Sequence, residues 1–158
     1  MRKGQERFEI YLPCCNAVEF AENGAVSYSL LAGSETIMLI EEDDDFRESL
    51  TVMLEIFGYK IISCYNDEDA VLKFMELGDA VDIVVANIGS FKSDVETTLA
   101  NMRSVNVSIG FLFLVESEYN GLAEISFFDA IIKKPFDIDE IVSRIRTVLD
   151  GSKVKDLN

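Results

Sequence analysis

The sequence predicts an α/β domain built on a five-stranded parallel sheet that is covered on both faces by helices. Two observations predict it. Short apolar runs, too brief for helices and without polar alternation, suit strands buried on both faces: Ile37-Met38-Leu39-Ile40, Ile83-Val84-Val85-Ala86 after Asp82, and Phe111-Leu112-Phe113-Leu114-Val115. Between them lie segments whose apolar residues recur at helical spacing, and strand alternating with helix calls for parallel pairing through right-handed crossovers.

Residues 1–34 read differently from the rest. Phe8-Glu9-Ile10-Tyr11-Leu12-Pro13 alternates like a short strand that proline ends, and turn residues from Asn23-Gly24 to Gly33-Ser34 make the remainder an arm and linker. The domain proper spans 35–150. Its first strand runs over 36–41, after which Phe46, Leu50, Met53, Leu54 and Phe57 form a helix face that Gly58 ends as a C′ glycine. A second strand covers 60–64. Asn66, with Asp69 three residues on, caps a second helix that faces inward through Val71, Phe74 and Met75 and closes at Gly78. The third strand is 82–86, and a third helix covers 94–103. The fourth strand, 111–115, leads to a short fourth helix over 122–127 and a last strand over 130–133. Asp137 and Glu140 form a capping pair for a final helix whose Ile138, Ile141, Val142, Ile145, Val148 and Leu149 face inward. Residues 151–158 read as a frayed tail.

Fourteen basic against twenty-nine acidic residues give a formal charge of -15, which disfavours nucleic acid and anionic membranes and favours cations or basic protein surfaces. Histidine is absent, which removes Ser-His-Asp and Cys-His catalysis, histidine phosphotransfer and histidine-ligated zinc. Glu6, Arg7 and Glu9 interrupt any signal-peptide core after Met1-Arg2-Lys3, and no apolar run reaches transmembrane length. Cys14, Cys15 and Cys64 form no C-x-x-C pair, so inert free thiols in a reduced cytoplasmic compartment are expected. Phe111, Phe113 and the Phe127-Phe128 pair read as core.

The chain's most concentrated charge is Glu41-Glu42-Asp43-Asp44-Asp45, set where the first strand ends. Asp43, Asp44 and Asp45 suit the first turn of the following helix, where negative charge is favourable. Glu41 and Glu42 stand apart. Carboxylates about 4 Å apart repel by about 4 kcal/mol at a protein-surface dielectric, so a neighbouring divalent metal or lysine is expected. Ligands of such sheets sit beyond the carboxyl ends of the strands. That edge gathers Glu41, Glu42, Asn87, Val115 and Lys134, and Lys134 facing two glutamates supplies the cation.

Over 36–149 these features resemble the receiver domain of two-component response regulators. The resemblance rests on I-M-L-I-E-E-D-D-D-F-R-E-S-L, on D-I-V-V-A-N-I and, most specifically, on I-I-K-K-P-F-D. It implies a flavodoxin-like, CheY-like fold with strand order 2-1-3-4-5, and a cis Lys134-Pro135 bond. It further implies that an acid pair holds magnesium, that an aspartate ending the third strand takes a phosphoryl group from a histidine kinase, that a hydroxyl residue ending the fourth strand senses it, and that a lysine pairs with it. Glu41, Glu42 and Lys134 match. Asn87 stands at the phosphoacceptor position and Val115 at that of the switch hydroxyl. Ile131 replaces the switch aromatic, and Phe91 a proline. An amide has no anionic oxygen to attack phosphorus, and it adds no charge to a metal site. The implied magnesium site, Glu41 and Glu42 with Asn87 and the Gly89 carbonyl, is therefore weak or lost. No cofactor is required, and no catalytic residue is assigned. The arm K-G-Q-E-R-F-E-I-Y-L-P resembles the last strand of a histidine-kinase ATPase domain, as found ahead of a receiver in hybrid kinases.

The expected function is a pseudo-receiver, a phosphorylation-independent interaction module whose partners are a histidine kinase or a downstream protein. Homodimerisation through the last two strand-helix units is expected as well. The alternative is a working phosphoacceptor with magnesium-dependent autodephosphorylation, using Ser90 or another atypical group. A flavin binder fits poorly, because the acidic loop would repel a phosphate.

Overall fold

The computed structural model describes residues 28–126 and 128–155. Strands β1 (Thr36–Ile40), β2 (Lys60–Cys64), β3 (Ile83–Asn87), β4 (Gly110–Val115) and β5 (Ala130–Lys133) form one parallel sheet in the order β2-β1-β3-β4-β5. The helices are α1 (Tyr28–Leu31), α2 (Asp44–Ile56), α3 (Asp67–Leu77), α4 (Val95–Val105) and α5 (Ile138–Lys155). Fold class and strand order agree with the sequence expectation.

Side chains of a strand alternate between faces, so each run of apolar residues feeds two cores. Ile37, Leu39, Ile83, Val85, Leu112 and Leu114 pack against Leu50 and Leu54 of α2 and Ile141, Val142 and Ile145 of α5. Met38, Ile40, Val84, Ala86, Phe111 and Phe113 pack against Ala70 and Phe74 of α3 and Leu99 and Met102 of α4. Each fully buried Leu, Ile or Phe stabilises the fold by about 1.5–3 kcal/mol. Phe111 and Phe113 are core residues, as expected, and Phe128 meets Phe113 edge-on at 6.5 Å. Cys64 is a free, buried thiol whose burial pushes its pKa up to about 12.

The caps follow the local sequence. Asp43 accepts from the N–H of Phe46, Asn66 from Asp69, Asp94 from Thr97 and Asp137 from Glu140. Gly58 turns the chain after α2 with φ 95°, a conformation that side chains with a Cβ rarely adopt.

Four expectations need correction. Met53 and Met75 are 45% and 63% exposed. Each lies one residue from the buried stripe, beside Leu54 and Phe74, and one residue rotates a helical side chain by about 100°. The expected fourth helix over 122–127 is a single 3-10 turn, Gly121–Glu124. Between Val115 and Ala130 stand 14 residues, several of them turn formers such as Ser117, Asn120 and Gly121, which favour turns over a regular helix. Finally, α5 continues through Gly151 to Lys155 where a frayed tail is expected.

The chain enters the domain along a fixed path. Leu31 is buried, Tyr59 Oη donates to its carbonyl at 2.8 Å, and the Gly33 N–H donates to the Phe57 carbonyl at 3.0 Å. Arg146 of α5 then holds Glu35 through two hydrogen bonds of 2.9 Å. Burial pushes the Tyr59 phenol up against the opposing pull of Arg146. The strand-like stretch 8–13, Cys14 and Cys15, and Phe127 lie outside the described residues.

Candidate functional site

The carboxyl edge of the sheet brings together the ends of β1, β3 and β5, as the sequence predicts. Glu41, Glu42, Asp43, Phe46, Asn87, Glu116, Lys134, Pro135 and Phe136 line one open cleft there. The Lys134-Pro135 peptide bond is cis, in agreement with expectation.

Glu41 follows β1 directly and is 1% exposed. A carboxylate buried this deeply needs donors on its oxygens. Asn87, ending β3, donates its amide to Oε2 at 2.9 Å and to Oε1 at 3.2 Å, and the Asp43 N–H reaches Oε1 at 3.0 Å. The opposite end of the same amide is engaged as well, for Asn87 Oδ1 accepts from the Gly89 N–H at 3.1 Å. These partners orient the carboxamide unambiguously, since its flipped form would set an oxygen against a carboxylate and an NH2 against an N–H.

Glu42 is held by the loop after β3. Its N–H donates to Ser90 Oγ at 2.9 Å, and Lys92 Nζ donates to its Oε2 at 2.7 Å. Ser90 is completely buried, and its hydroxyl oxygen accepts inside the loop. Lys92 is itself positioned through its backbone. Asp67, the first residue of α3 and 1% exposed, accepts from the N–H groups of Lys92 at 2.7 Å and Ser93 at 2.9 Å. Burial pushes the Asp67 carboxyl up, but those hydrogen bonds outweigh it and leave it below the usual carboxylate range. The Glu42 hydrogen bond and charge raise Lys92 above the ordinary lysine value.

Lys134 lines the cleft but does not bridge Glu41, Glu42 and Asn87, which corrects the sequence expectation. Its ammonium pairs with the exposed Glu116 at 3.1 Å and lies 5.2 Å from the ring centroid of Phe46. Glu41 already accepts from Asn87 and Asp43, and Glu42 from Lys92, while Lys134 pairs with Glu116. Val115 is buried with its carbonyl accepting from the Lys134 N–H at 2.8 Å, and its side chain offers no donor to the cleft. Ile131 is half-buried against the α3–α4 core, and Phe91 packs edge-on against Phe113 at 6.0 Å.

Sequence reasoning missed Lys92 and Asp67. A signal for Lys92 existed, since it is the sole basic residue between Lys73 and Arg103 and stands five positions after Asn87. Nothing local marks Asp67 as the anchor of a loop 25 residues away.

A five-stranded parallel sheet in this order, with helices on both faces, is the fold of response-regulator receiver domains, here with an amide at the end of β3. Its structural neighbours bear this out. A response regulator receiver domain protein from Clostridium thermocellum superposes with a TM-score of 0.68 at 15% identity, covering 76% of this chain and 98% of that one. The receiver domain of the hybrid histidine kinase CckA gives 0.61 at 20% identity, covering 72% and 98%. A receiver protein from Sinorhizobium medicae gives 0.66 at 18%, covering 75% and 97%. Among curated proteins, the chain is similar to the sensor kinase CckA of Brucella abortus, 29% identical over an alignment of 128 residues that covers 76% of this chain and 13% of the kinase. It is also similar to the probable transcriptional regulator ycf27 of Pyropia yezoensis, 29% identical over 119 residues, 73% of this chain and 47% of that protein. The chain thus spans half or less of the curated relatives it matches. No family model matches the sequence. No helix among the described residues is long and apolar enough to cross a membrane.

Proposed function

We propose that this chain is a receiver-type module of two-component signalling that takes no phosphoryl group and acts by binding protein partners in one fixed conformation. The observation that carries the reading is the Asn87 carboxamide, hydrogen-bonded to Glu41 on one side and to Gly89 on the other. An amide held this way cannot form an acyl phosphate, because it lacks the anionic oxygen that attacks phosphorus. Val115, at the end of β4, supplies no hydroxyl to report a phosphoryl group, and Ser90 is enclosed. Partners are a histidine kinase or a downstream protein of the pathway, met through basic surfaces that complement a charge of -15. The single 3-10 turn between β4 and β5 gives the β4–β5–α5 side a contour of its own, the face through which a partner or a second copy docks.

The test is intact mass after incubation with acetyl phosphate and magnesium, on the wild type and on Asn87→Asp. The wild type should gain nothing. A gain of about 80 Da, one phosphoryl group, on the wild type refutes the reading. The same gain on the variant alone identifies residue 87 as the group whose chemistry was given up.

A further inference from the structure

We propose that the outward face of α3 docks a basic amphipathic helix of a partner protein. That helix sets apolar side chains against Leu72 and Met75, and its flanking lysines or arginines pair with Glu68, Glu76 and Asp79. The inference goes beyond the reading above and does not depend on phosphoryl chemistry. It adds a second docking surface at the β2 end of the sheet, away from the β4–β5–α5 side.

Helical spacing builds the face. Ala70 and Phe74 of α3 are buried against the sheet. Glu68, Leu72, Met75 and Glu76, spaced by three or four positions, come out on the opposite side, and Asp79 continues the row in the 3-10 turn Gly78–Ala80. All five are exposed. Leu72 is 70% and Met75 63% exposed, so two apolar side chains about one turn apart stand side by side in water. Methionine is unbranched and polarizable, and it adapts to the apolar groups that it meets.

Charge selects the occupant. Glu68 lies on one side of the apolar pair, Glu76 and Asp79 on the other, and none of the three has an ion-pair partner among the described residues. The lysine of α3 is engaged elsewhere, for Lys73 Nζ donates to the Ser63 carbonyl at 2.7 Å and to Asp69 at 2.9 Å. The face is therefore apolar in the middle and anionic at both ends. A second copy of a chain with a formal charge of -15 would set the same carboxylates against these, and like-charge repulsion opposes that pairing. A basic helix complements both parts. From Glu68 to Asp79 the row runs about 16 Å, about three helical turns, which a short partner helix spans with apolar anchors at its centre and a cation towards each end.

The experiment is an NMR titration of the isotope-labelled full chain with a synthetic helical peptide. The peptide carries leucines at i and i+4 and lysines at i−3 and i+7, all on one face. Amide shifts should move along residues 67–79 and saturate at submillimolar peptide. Leu72→Gln and Met75→Gln should each weaken binding about tenfold, as should replacing both peptide leucines with alanine. Glu76→Lys should weaken it severalfold and reduce its salt dependence. Both apolar sites are exposed and glutamine favours helix, so the variants keep the core, and unchanged amide spectra away from α3 confirm folding. Shifts centred outside α3, no saturation at a few millimolar peptide, or equal binding of the leucine and alanine peptides overturns the proposal, the last by leaving only general attraction to an acidic protein. A dimer in light scattering that Leu72→Gln dissolves assigns the face to a second copy and overturns it as well. The phosphoryl mass test decides the functional reading independently.

Discussion

Replacing Asn87 by aspartate sets a second carboxylate where the amide now donates to Glu41 at 2.9 and 3.2 Å. Two unit charges about 3 Å apart repel by about 5 kcal/mol at an effective dielectric of about 20, and swinging apart to about 5 Å still leaves about 3. Loss of the amide hydrogen bond adds about 1 kcal/mol. The variant should therefore be about 4 kcal/mol less stable than the wild type at pH 7 without metal, a large part of the 5–15 kcal/mol typical of a domain. The assay is urea unfolding in the presence of a chelator, repeated at pH 5. Like-charge repulsion raises the proton affinity of the pair in the folded variant, so the deficit is full at neutral pH and shrinks as acidification supplies one shared proton. A deficit below about 1 kcal/mol at pH 7, or one that does not change at pH 5, would refute the reasoning. It would mean that Lys134 leaves Glu116 to neutralise the new charge, and that the pocket is more adaptable than its hydrogen bonds indicate.

Two further outcomes follow from the same structure. Arg146→Ala removes both guanidinium hydrogen bonds to the largely enclosed Glu35 carboxylate, which keeps the Ser34 N–H on Oε2, so unfolding free energy should fall by about 2 kcal/mol, measured by urea titration; a loss under about 0.5 would class the clamp with ordinary surface pairs. Asp67→Asn replaces one of the two carboxylate oxygens, each of which takes a backbone N–H, with an NH2 that faces the N–H it should accept, costing about 1–3 kcal/mol at neutral pH. Because the folded-state pKa of Asp67 is depressed, the stability it contributes is present above its unfolded value of about 3.9 and is lost as pH falls through the lower folded value. The gap between wild type and Asp67→Asn should therefore be constant from pH 7 to about 5 and narrow below about 4, followed by circular dichroism; a gap that persists at low pH would show that the carboxylate's charge is not what holds the loop.

Local pattern determined a great deal of this molecule. The apolar runs of β1, β3 and β4 announced strands buried on two faces because alternation sends every second side chain to each core, and both cores are filled by those residues. Asp43, Asn66, Asp94 and Asp137 sit at helix starts because a short acceptor side chain satisfies N–H groups that the helix cannot, a need that acts within three residues. The arrival of Glu41, Asn87 and Lys134 at one edge followed from strand order alone. What only the tertiary structure decided is which donor reaches which acid. Lys134 and Lys92 are equally cationic in the sequence, but the choice depends on where two loops hold their backbones. Asp67 holds the Lys92 backbone, Lys92 pairs with Glu42, Asn87 donates to Glu41, and Lys134 pairs with Glu116. Met53 and Met75 escaped the pattern for a related reason, since burial is assigned by the angle at which a helix meets the sheet, and one residue's rotation moves a side chain from core to solvent. Contacts of this kind are set by positions many residues apart, and no short stretch of chain contains the information.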